Sequence, residues 1–134
     1  MYINMAALDV HIQIANHFIT KESPVQFYMG TIAPDCSGSP QVSHYTATGE
    51  KDAIRSQEFY DTYVKNEDEP EMKAFFLGYY IHLLADIAWW NHVWIPASIK
   101  YAKEIEQDRG FIKEIKKMPY DINTIINEIQ NKIF

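Results

Sequence analysis

His82 and Asp86 are the two residues of this chain whose types and spacing point most directly to chemistry. They lie four positions apart in an apolar run from Ala74 to Trp90, in which Asp86 is the one formally charged residue. Side chains at positions i and i+4 share one face of a helix, and a helix that is apolar all round is buried in the protein. An ionised carboxylate there costs on the order of several kcal/mol unless a cation compensates it. We therefore predict that His82 and Asp86 meet a metal ion.

The competing explanation for Asp86 is a buried Arg or Lys partner. The arginines of the chain are Arg55 and Arg109, and basic residues are scarce beside the apolar segments, which favours the metal. Imidazole nitrogen and carboxylate oxygen are zinc ligands where cysteine is scarce. A mixed N/O set also suits manganese or iron, so these residues alone do not fix the ion.

Three further residues are candidate ligands, and each also has a simpler explanation. His11 lies in an apolar helical stripe and could be a core residue. Asp35 could organise a turn after a proline, and His44 could be a surface residue of a Ser/Thr-rich segment.

His92 lies about 240° further round a straight helix than Asp86. We expect it to serve a separate site or to cap the end of the helix.

The elements that must position these residues are predicted to be helices, since no convincing strand pattern is present. The first helix covers residues 6–20, with an apolar stripe formed by Leu8, His11, Ile12, Ala15, Phe18 and Ile19. His11 is expected to face the core and His17 the solvent. Residues 34–49 are predicted to be an extended loop, because Pro and Gly punctuate them. A loop of that length in a compact domain is more often functional than idle.

The remaining pattern predicts helices to the end of the chain. One begins after Thr48 as its N-cap and reaches about Lys65. The central helix covers about residues 72–92, with Pro70 in its first turn and its end near Pro96. Further helices are expected over about 97–109, over 111–117 and from Asp121 onward. The predicted fold class is all-α, a compact helical bundle around the central buried helix, forming a single domain over residues 1–134.

Composition excludes several classes of protein. The chain has 134 residues, of which 47% are hydrophobic, so it can build a globular core. A net charge of -6 argues against a nucleic-acid scaffold with a basic face. The lone Cys36 rules out an internal disulfide. No leader or membrane span is evident, so we expect a cytoplasmic protein. Glycine-rich phosphate loops, a Gly-x-Ser-x-Gly elbow and Glu-x-x-His are all lacking.

The order of the candidate residues resembles the zinc-dependent phospholipase C family, relatives of the P1-type nucleases. The run from Phe76 to Asp86, followed by His92, is similar to the His-x3-Asp-x5-His spacing of that family's central metal helix. Upstream, the similar blocks are His11 in the first helix, the turn over residues 30–35 and the segment over residues 43–46. The resemblance covers about residues 8–95.

The resemblance implies an all-helical phosphodiester hydrolase with a cluster of up to three zinc ions. By analogy, Asp86 would bridge two ions, and His11 would help to bind the second of them. Asp35 would be a ligand and a candidate general base. His92 matches a ligand of the third ion. The implied ligand set is His11, Asp35, His44, His82, Asp86 and His92.

The chain also departs from the family pattern. The third site of the family needs a further His-x3-Glu, and no histidine follows His92, so we expect one or two zinc ions. Secreted members use the amino group of an N-terminal Trp, whereas this chain begins Met1-Tyr2, so a second ion is expected to be held weakly. The chain is shorter than the secreted enzymes, and we expect its substrate pocket to be shallow or completed by a second subunit of a homo-oligomer.

Together these inferences predict a metal-dependent hydrolase of phosphoric esters that uses a metal-activated water. Its substrate would be a small phosphodiester or a phospholipid, and nucleotides also remain open. One alternative is a non-catalytic metal- or ligand-binding helical module with a degenerate site. A second alternative is a helical interaction protein that binds no metal.

Overall fold

The computed structural model describes residues 6–19, 21–46, 54–103 and 120–133. Within them the fold is all-α, which confirms the predicted class, and the β-structure in those residues is one isolated bridge between Thr46 and Ile54. The helices, in chain order, are α1 (Leu8–Phe18), α2 (Pro24–Ile32), a 3-10 turn (Ala33–Cys36), α3 (Pro40–Ser43), α4 (Ser56–Phe59), a π turn (Tyr60–Val64), α5 (Pro70–Trp89), a second π turn (Trp90–Trp94), α6 (Ile95–Lys100) and α7 (Ile122–Ile133).

Helix α5 carries His82 and Asp86, and its start follows from its sequence. The Glu69 carboxylate accepts hydrogen bonds from the backbone N–H groups of Glu71 at 3.2 Å and Met72 at 2.7 Å, while Pro70 occupies the first turn. The helix packs against α1, α2 and α7. Its buried residues are Ala74, Gly78, Tyr80, Ile81, His82, Leu83, Leu84, Ala85, Asp86, Ala88 and Trp89.

Helix α2, to which the sequence patterns assign no helix, packs against α5 through two glycines. A Cβ atom on Gly30 would lie 1.9 Å from the backbone oxygen of Phe75, and one on Gly78 would lie 2.2 Å from the backbone oxygen of Phe27. No side chain fits at either position. The two backbones are therefore close enough for α2 to present a main-chain carbonyl to α5.

The buried face of α1 differs from the predicted stripe. His11 is buried and His17 is exposed, as predicted. However, Leu8 is 55% exposed, and the buried residues of the helix are Val10, His11, Ile14 and Ala15. Apolar residues occur almost all round this helix, so periodicity alone could not select the buried face; contacts with α2, α5 and α7 select it.

The prediction of an extended loop over residues 34–49 is wrong for the described part, which ends at Thr46. Pro34 lies at the start of a 3-10 turn, and Pro40 begins α3. The backbone carbonyl of Ser39 accepts hydrogen bonds from Val42 and Ser43, each at 3.0 Å. The prolines therefore start short helical turns here and do not merely break a helix.

Two other helix boundaries also differ from prediction. The helix expected after Thr48 begins at Ser56 within the described residues, and residues 47–53 lie outside them. The central helix does not end near Pro96 but continues through a π turn into α6. Pro96 has no N–H and its ring crowds the preceding turn. The wider π turn, in which Ile95 donates to Trp90, accommodates it.

Helix α7 follows the prediction closely. Asp121 precedes it and accepts hydrogen bonds from the Asn123 N–H and the Thr124 hydroxyl, both at 3.0 Å. Ile125, Ile126 and Ile129 are buried. Of the helix predicted over about 97–109, the structure has α6 (Ile95–Lys100), and residues 104–109 lie outside the described residues, as does the helix predicted over 111–117. Among the helices that are described, none is both long and apolar enough to span a bilayer.

Candidate metal centre

Five of the predicted ligands come together from four segments of the chain. His11 comes from α1, Asp35 from the 3-10 turn and His44 from the residue after α3, while α5 supplies His82 and Asp86. We call these five residues the buried cluster. Among the described residues, two groups of three could each hold an ion, with ligand atoms within 4.8 Å of one another: His11, Asp35 and His82, and His44, His82 and Asp86.

The distances in the buried cluster join imidazole nitrogens to carboxylate oxygens. His11 Nε2 lies 3.0 Å from Asp86 Oδ1, and His44 Nε2 lies 3.0 Å from Asp35 Oδ1. His82 Nε2 lies between the two acids, 3.2 Å from Asp86 Oδ2 and 3.5 Å from Asp35 Oδ1. The rings of His11 and His82 are stacked, with centroids 3.6 Å apart. All three Nε2 atoms therefore face the carboxylates.

Four members of the cluster are enclosed and one is open. The side chains of His11, His82 and Asp86 have no exposed surface and that of His44 has 2%, whereas the Asp35 side chain is 34% exposed. Asp35 is thus the member through which the cluster reaches solvent.

Asp86 supplies the direct test of whether a cation fits. Its Oδ1 accepts a hydrogen bond from the Ala6 N–H at 2.9 Å. Its Oδ2 is buried and accepts no well-aligned hydrogen bond from the residues that the structure describes, although His82 Nε2 lies 3.2 Å away. The ion-pair partners of Asp86 in those residues are imidazoles, and the Arg55 guanidinium pairs with Glu58 instead. A buried carboxylate oxygen that lacks a well-aligned donor and lies beside two Nε2 atoms, those of His82 and His44, fits a metal ligand.

Neighbouring groups set the orientation of two of the histidines. His82 Nδ1 lies 2.6 Å from the backbone oxygen of Thr31. A carbonyl can only accept, so Nδ1 carries the proton and a neutral His82 turns an unprotonated Nε2 toward the acids. His44 Nδ1 lies 3.2 Å from the Ser43 hydroxyl. Such outer partners are typical of metal-binding histidines. His11 differs, because its buried Nδ1 has no hydrogen-bond partner among the described residues.

The cluster shifts the pKa values of its members. Burial opposes charge on His82, but the Asp86 carboxylate and hydrogen bonds with Asp35 and Asp86 outweigh it and raise the pKa to about 9. Burial also opposes ionisation of Asp86, yet His11 and His82 hold its pKa well below the usual range. Burial and the nearby His82 lower the pKa of His11. In the metal-free protein the imidazolium of His82 is thus the cation that a metal ion would replace.

His92 lies outside both ion-holding groups. Its Nε2 is 2.6 Å from Glu128 Oε2, and the two side chains are 41% and 25% exposed; we call them the surface pair. Glu128 was not predicted as a partner of His92, because the glutamate of the family pattern follows a histidine by four residues. Thr124 occupies the histidine position four residues before Glu128. The pair offers two ligands, fewer than the three protein ligands of a catalytic zinc site.

The fold and the buried cluster define a class of protein: a helical protein with a histidine and aspartate centre of the kind that binds divalent metals. A model of one family, zinc-dependent phospholipase C, matches residues 2–131 of the chain. The chain belongs to that family, which confirms the resemblance found in the sequence. Neither the search of curated proteins nor the search of solved structures gave a significant match.

Proposed function

We propose that this protein is a zinc-dependent hydrolase of phosphoric esters that acts on a phosphodiester or a phospholipid. The observation that carries the proposal is the buried cluster itself, in which two carboxylates and three Nε2 atoms converge and one oxygen of Asp86 has no well-aligned donor among the described residues. Membership of the zinc-dependent phospholipase C family supports the same reaction.

The division of the proposed ligands between the ions is taken from the resemblance to the family, and the short distances within the cluster are compatible with it. Asp35, His44 and His82 would hold one ion, Asp86 would bridge, and His11 would help to hold a second. A bound zinc ion supplies an acidified water nucleophile and neutralises charge on phosphoryl oxygens. Within the part of the chain that the structure describes, His11 Nδ1 has no outer hydrogen-bond partner, which supports a weaker second ion. His92 lies outside the cluster, so we propose one or two ions there.

The residues of the buried cluster would have three roles: they would bind the ion, exclude water from one side of it and accept a proton. The enclosed histidines exclude solvent from one side of the centre. Asp35 is the open member, so we propose that it contacts the water and substrate and accepts a proton. In the metal-free protein, partial burial opposes its ionisation, but hydrogen bonds from His44 and His82 outweigh burial and lower its pKa. The carboxylate is therefore ionised and able to bind a cation at neutral pH.

The test combines metal analysis with two substrates. Protein purified without chelator should contain zinc, and below about 0.2 equivalents the metal proposal is wrong. Zinc-loaded protein should cleave a nitrophenyl phosphodiester or phosphatidylcholine. Asp35→Asn should reduce that activity by about 100-fold or more, whereas Asp61→Asn, a control at a surface carboxylate that binds Gln57, should not.

The two alternatives give different results in the same experiment. Zinc-loaded protein without activity on either substrate would indicate the non-catalytic metal-binding module. Protein that takes up no zinc would indicate the metal-free interaction protein. The enclosure of four of the five ligands is the feature that would suit a purely structural ion, so the activity measurement is the decisive one.

A further inference from the structure

We propose that Ser43 is a positioning residue of the metal centre, whose hydroxyl determines which ring nitrogen His44 offers to the ion. This inference rests on the proposed function, since it concerns how that centre is built. Ser43 is not a ligand itself. It would act through His44, the residue that follows it.

The direction of the hydrogen bonds around Ser43 follows from their partners. Ser43 Oγ lies 2.7 Å from the backbone oxygen of Pro34 and 3.2 Å from His44 Nδ1. A carbonyl oxygen only accepts, and 2.7 Å is a usual length for an O–H···O bond. The Ser43 hydroxyl therefore donates its proton to Pro34. Toward His44 it presents a lone pair.

That lone pair selects the tautomer of His44. If Nδ1 carries the proton, it donates to Ser43 Oγ and leaves Nε2, which lies 3.0 Å from Asp35 Oδ1, free to bind an ion shared with that carboxylate; without an ion, the contact with Asp35 requires a proton on Nε2. In the other tautomer, two lone pairs would face each other at Ser43, and an N–H group would point at the ion. Because a metal needs the unprotonated nitrogen, the hydroxyl favours the tautomer that binds.

Ser43 is itself tied to the helix that carries two other ligands. The Tyr79 hydroxyl donates to the backbone oxygen of Ser43. Tyr79 belongs to α5, one turn before His82, and its ring stacks on Phe59 with centroids 4.7 Å apart. The group that orients His44 is thus fixed to the element that supplies His82 and Asp86.

The direct test reads the tautomer of His44 in the unaltered protein. Nitrogen-15 NMR of histidine-labelled, zinc-loaded protein should show a protonated Nδ1 and a metal-bound Nε2 at His44. A metal-bound Nδ1 at His44 would overturn the inference. This measurement needs no variant, so it decides the question even if changes at Ser43 prevent folding.

Three variants then test the hydroxyl. Ser43→Ala should weaken zinc binding about 10-fold to 100-fold in competition with a chelator, and Ser43→Thr, which keeps a hydroxyl, should restore most of it. Ser98→Ala is the matched control, because its hydroxyl also donates to a backbone carbonyl, that of Ile95 at 2.9 Å. Ser98→Ala should leave zinc affinity unchanged, although it also removes a hydrogen bond from a serine hydroxyl to a backbone carbonyl.

The results separate this inference from the proposed function. If Ser43→Ala binds zinc as tightly as the unaltered protein, the positioning role is wrong while the metal centre stands. A loss that Ser43→Thr does not restore would also count against the hydroxyl. If the unaltered protein binds no zinc, the proposed function and this inference both fail.

Discussion

The buried cluster and the surface pair contain the same chemical groups in two different environments. In the cluster, the side chains of His82 and Asp86 are 3.2 Å apart with no exposed surface. In the surface pair, His92 and Glu128 are 2.6 Å apart, and their side chains are 41% and 25% exposed. The shorter distance is that of the surface pair, which lies outside both groups that could hold a metal ion. Distance alone therefore does not identify a metal centre.

The environment accounts for the difference. Water solvates the surface pair whether or not its partners meet, so the contact contributes about 1 kcal/mol or less. The buried carboxylate has lost that water, and its charge must be met by the protein or by a bound ion. From this difference in environment we expect four effects on zinc content and on the free energy of unfolding, which range from complete loss of zinc to almost no change.

The largest effect is expected at Asp86. Asp86→Asn removes the buried charge that pairs with His11 and His82, so zinc should be lost and the free energy of unfolding should fall by about 3–5 kcal/mol. Metal analysis and urea denaturation measure the two effects. The matched control is Glu128→Gln in the surface pair, which should change neither by much. Unchanged zinc content in Asp86→Asn would show that this carboxylate is not a ligand.

The second prediction tests the backbone contact behind the cluster. In Gly78→Ala the new Cβ would lie 2.2 Å from the Phe27 oxygen, so α2 must move away from α5. We expect a loss of about 3 kcal/mol in stability and weaker zinc binding, since the Thr31 carbonyl moves with α2. Gly38→Ala is the control, because nothing lies within 4 Å of the added carbon. Normal stability in Gly78→Ala would mean that the contact is looser than described.

The third prediction concerns pH in the chelated protein. The pKa of His82 is raised from 6.5 to about 9, so its stabilising contribution is complete below about pH 6.5 and is lost as pH rises through about 9. The free energy of unfolding should fall by up to about 3 kcal/mol between pH 7 and pH 10. Urea denaturation at each pH measures it. His82→Gln should abolish most of this fall, and an equal fall in both proteins would contradict the assignment.

The smallest effect is expected in the surface pair. His92→Gln should change the free energy of unfolding by less than about 1 kcal/mol. The zinc content of the buried cluster should be unchanged, as metal analysis can show. Loss of a full zinc equivalent in His92→Gln would contradict the contrast between the two sites, because it would show that the surface pair holds an ion.

The sequence predicts those features that depend on local pattern or on order along the chain. The structure has α7 where a helix is expected from Asp121 onward, and it has Pro70 in the first turn of α5 as predicted. The five residues of the buried cluster follow from the charge in an apolar helix and from the order of the ligand blocks.

Other features depend on contacts between distant segments and could not be predicted. The Thr31 carbonyl acts on His82 as a backbone group, so its residue type gives no signal. Glu128 meets His92 across 36 positions of sequence. The burial of α1 on its Val10 face is decided by its neighbours, since several of its faces are apolar.

The partial exposure of Asp35 has a kinetic consequence. Because the other four residues of the buried cluster are enclosed, a metal ion held there would enter or leave chiefly past Asp35 and the short turn Ala33–Cys36 that carries it. The rate of exchange with a chelator should then depend on how often this turn detaches from the hydroxyl of Ser43. Slow uptake of zinc by the apoprotein and slow removal of zinc by a chelator would then both be limited by the detachment of this turn.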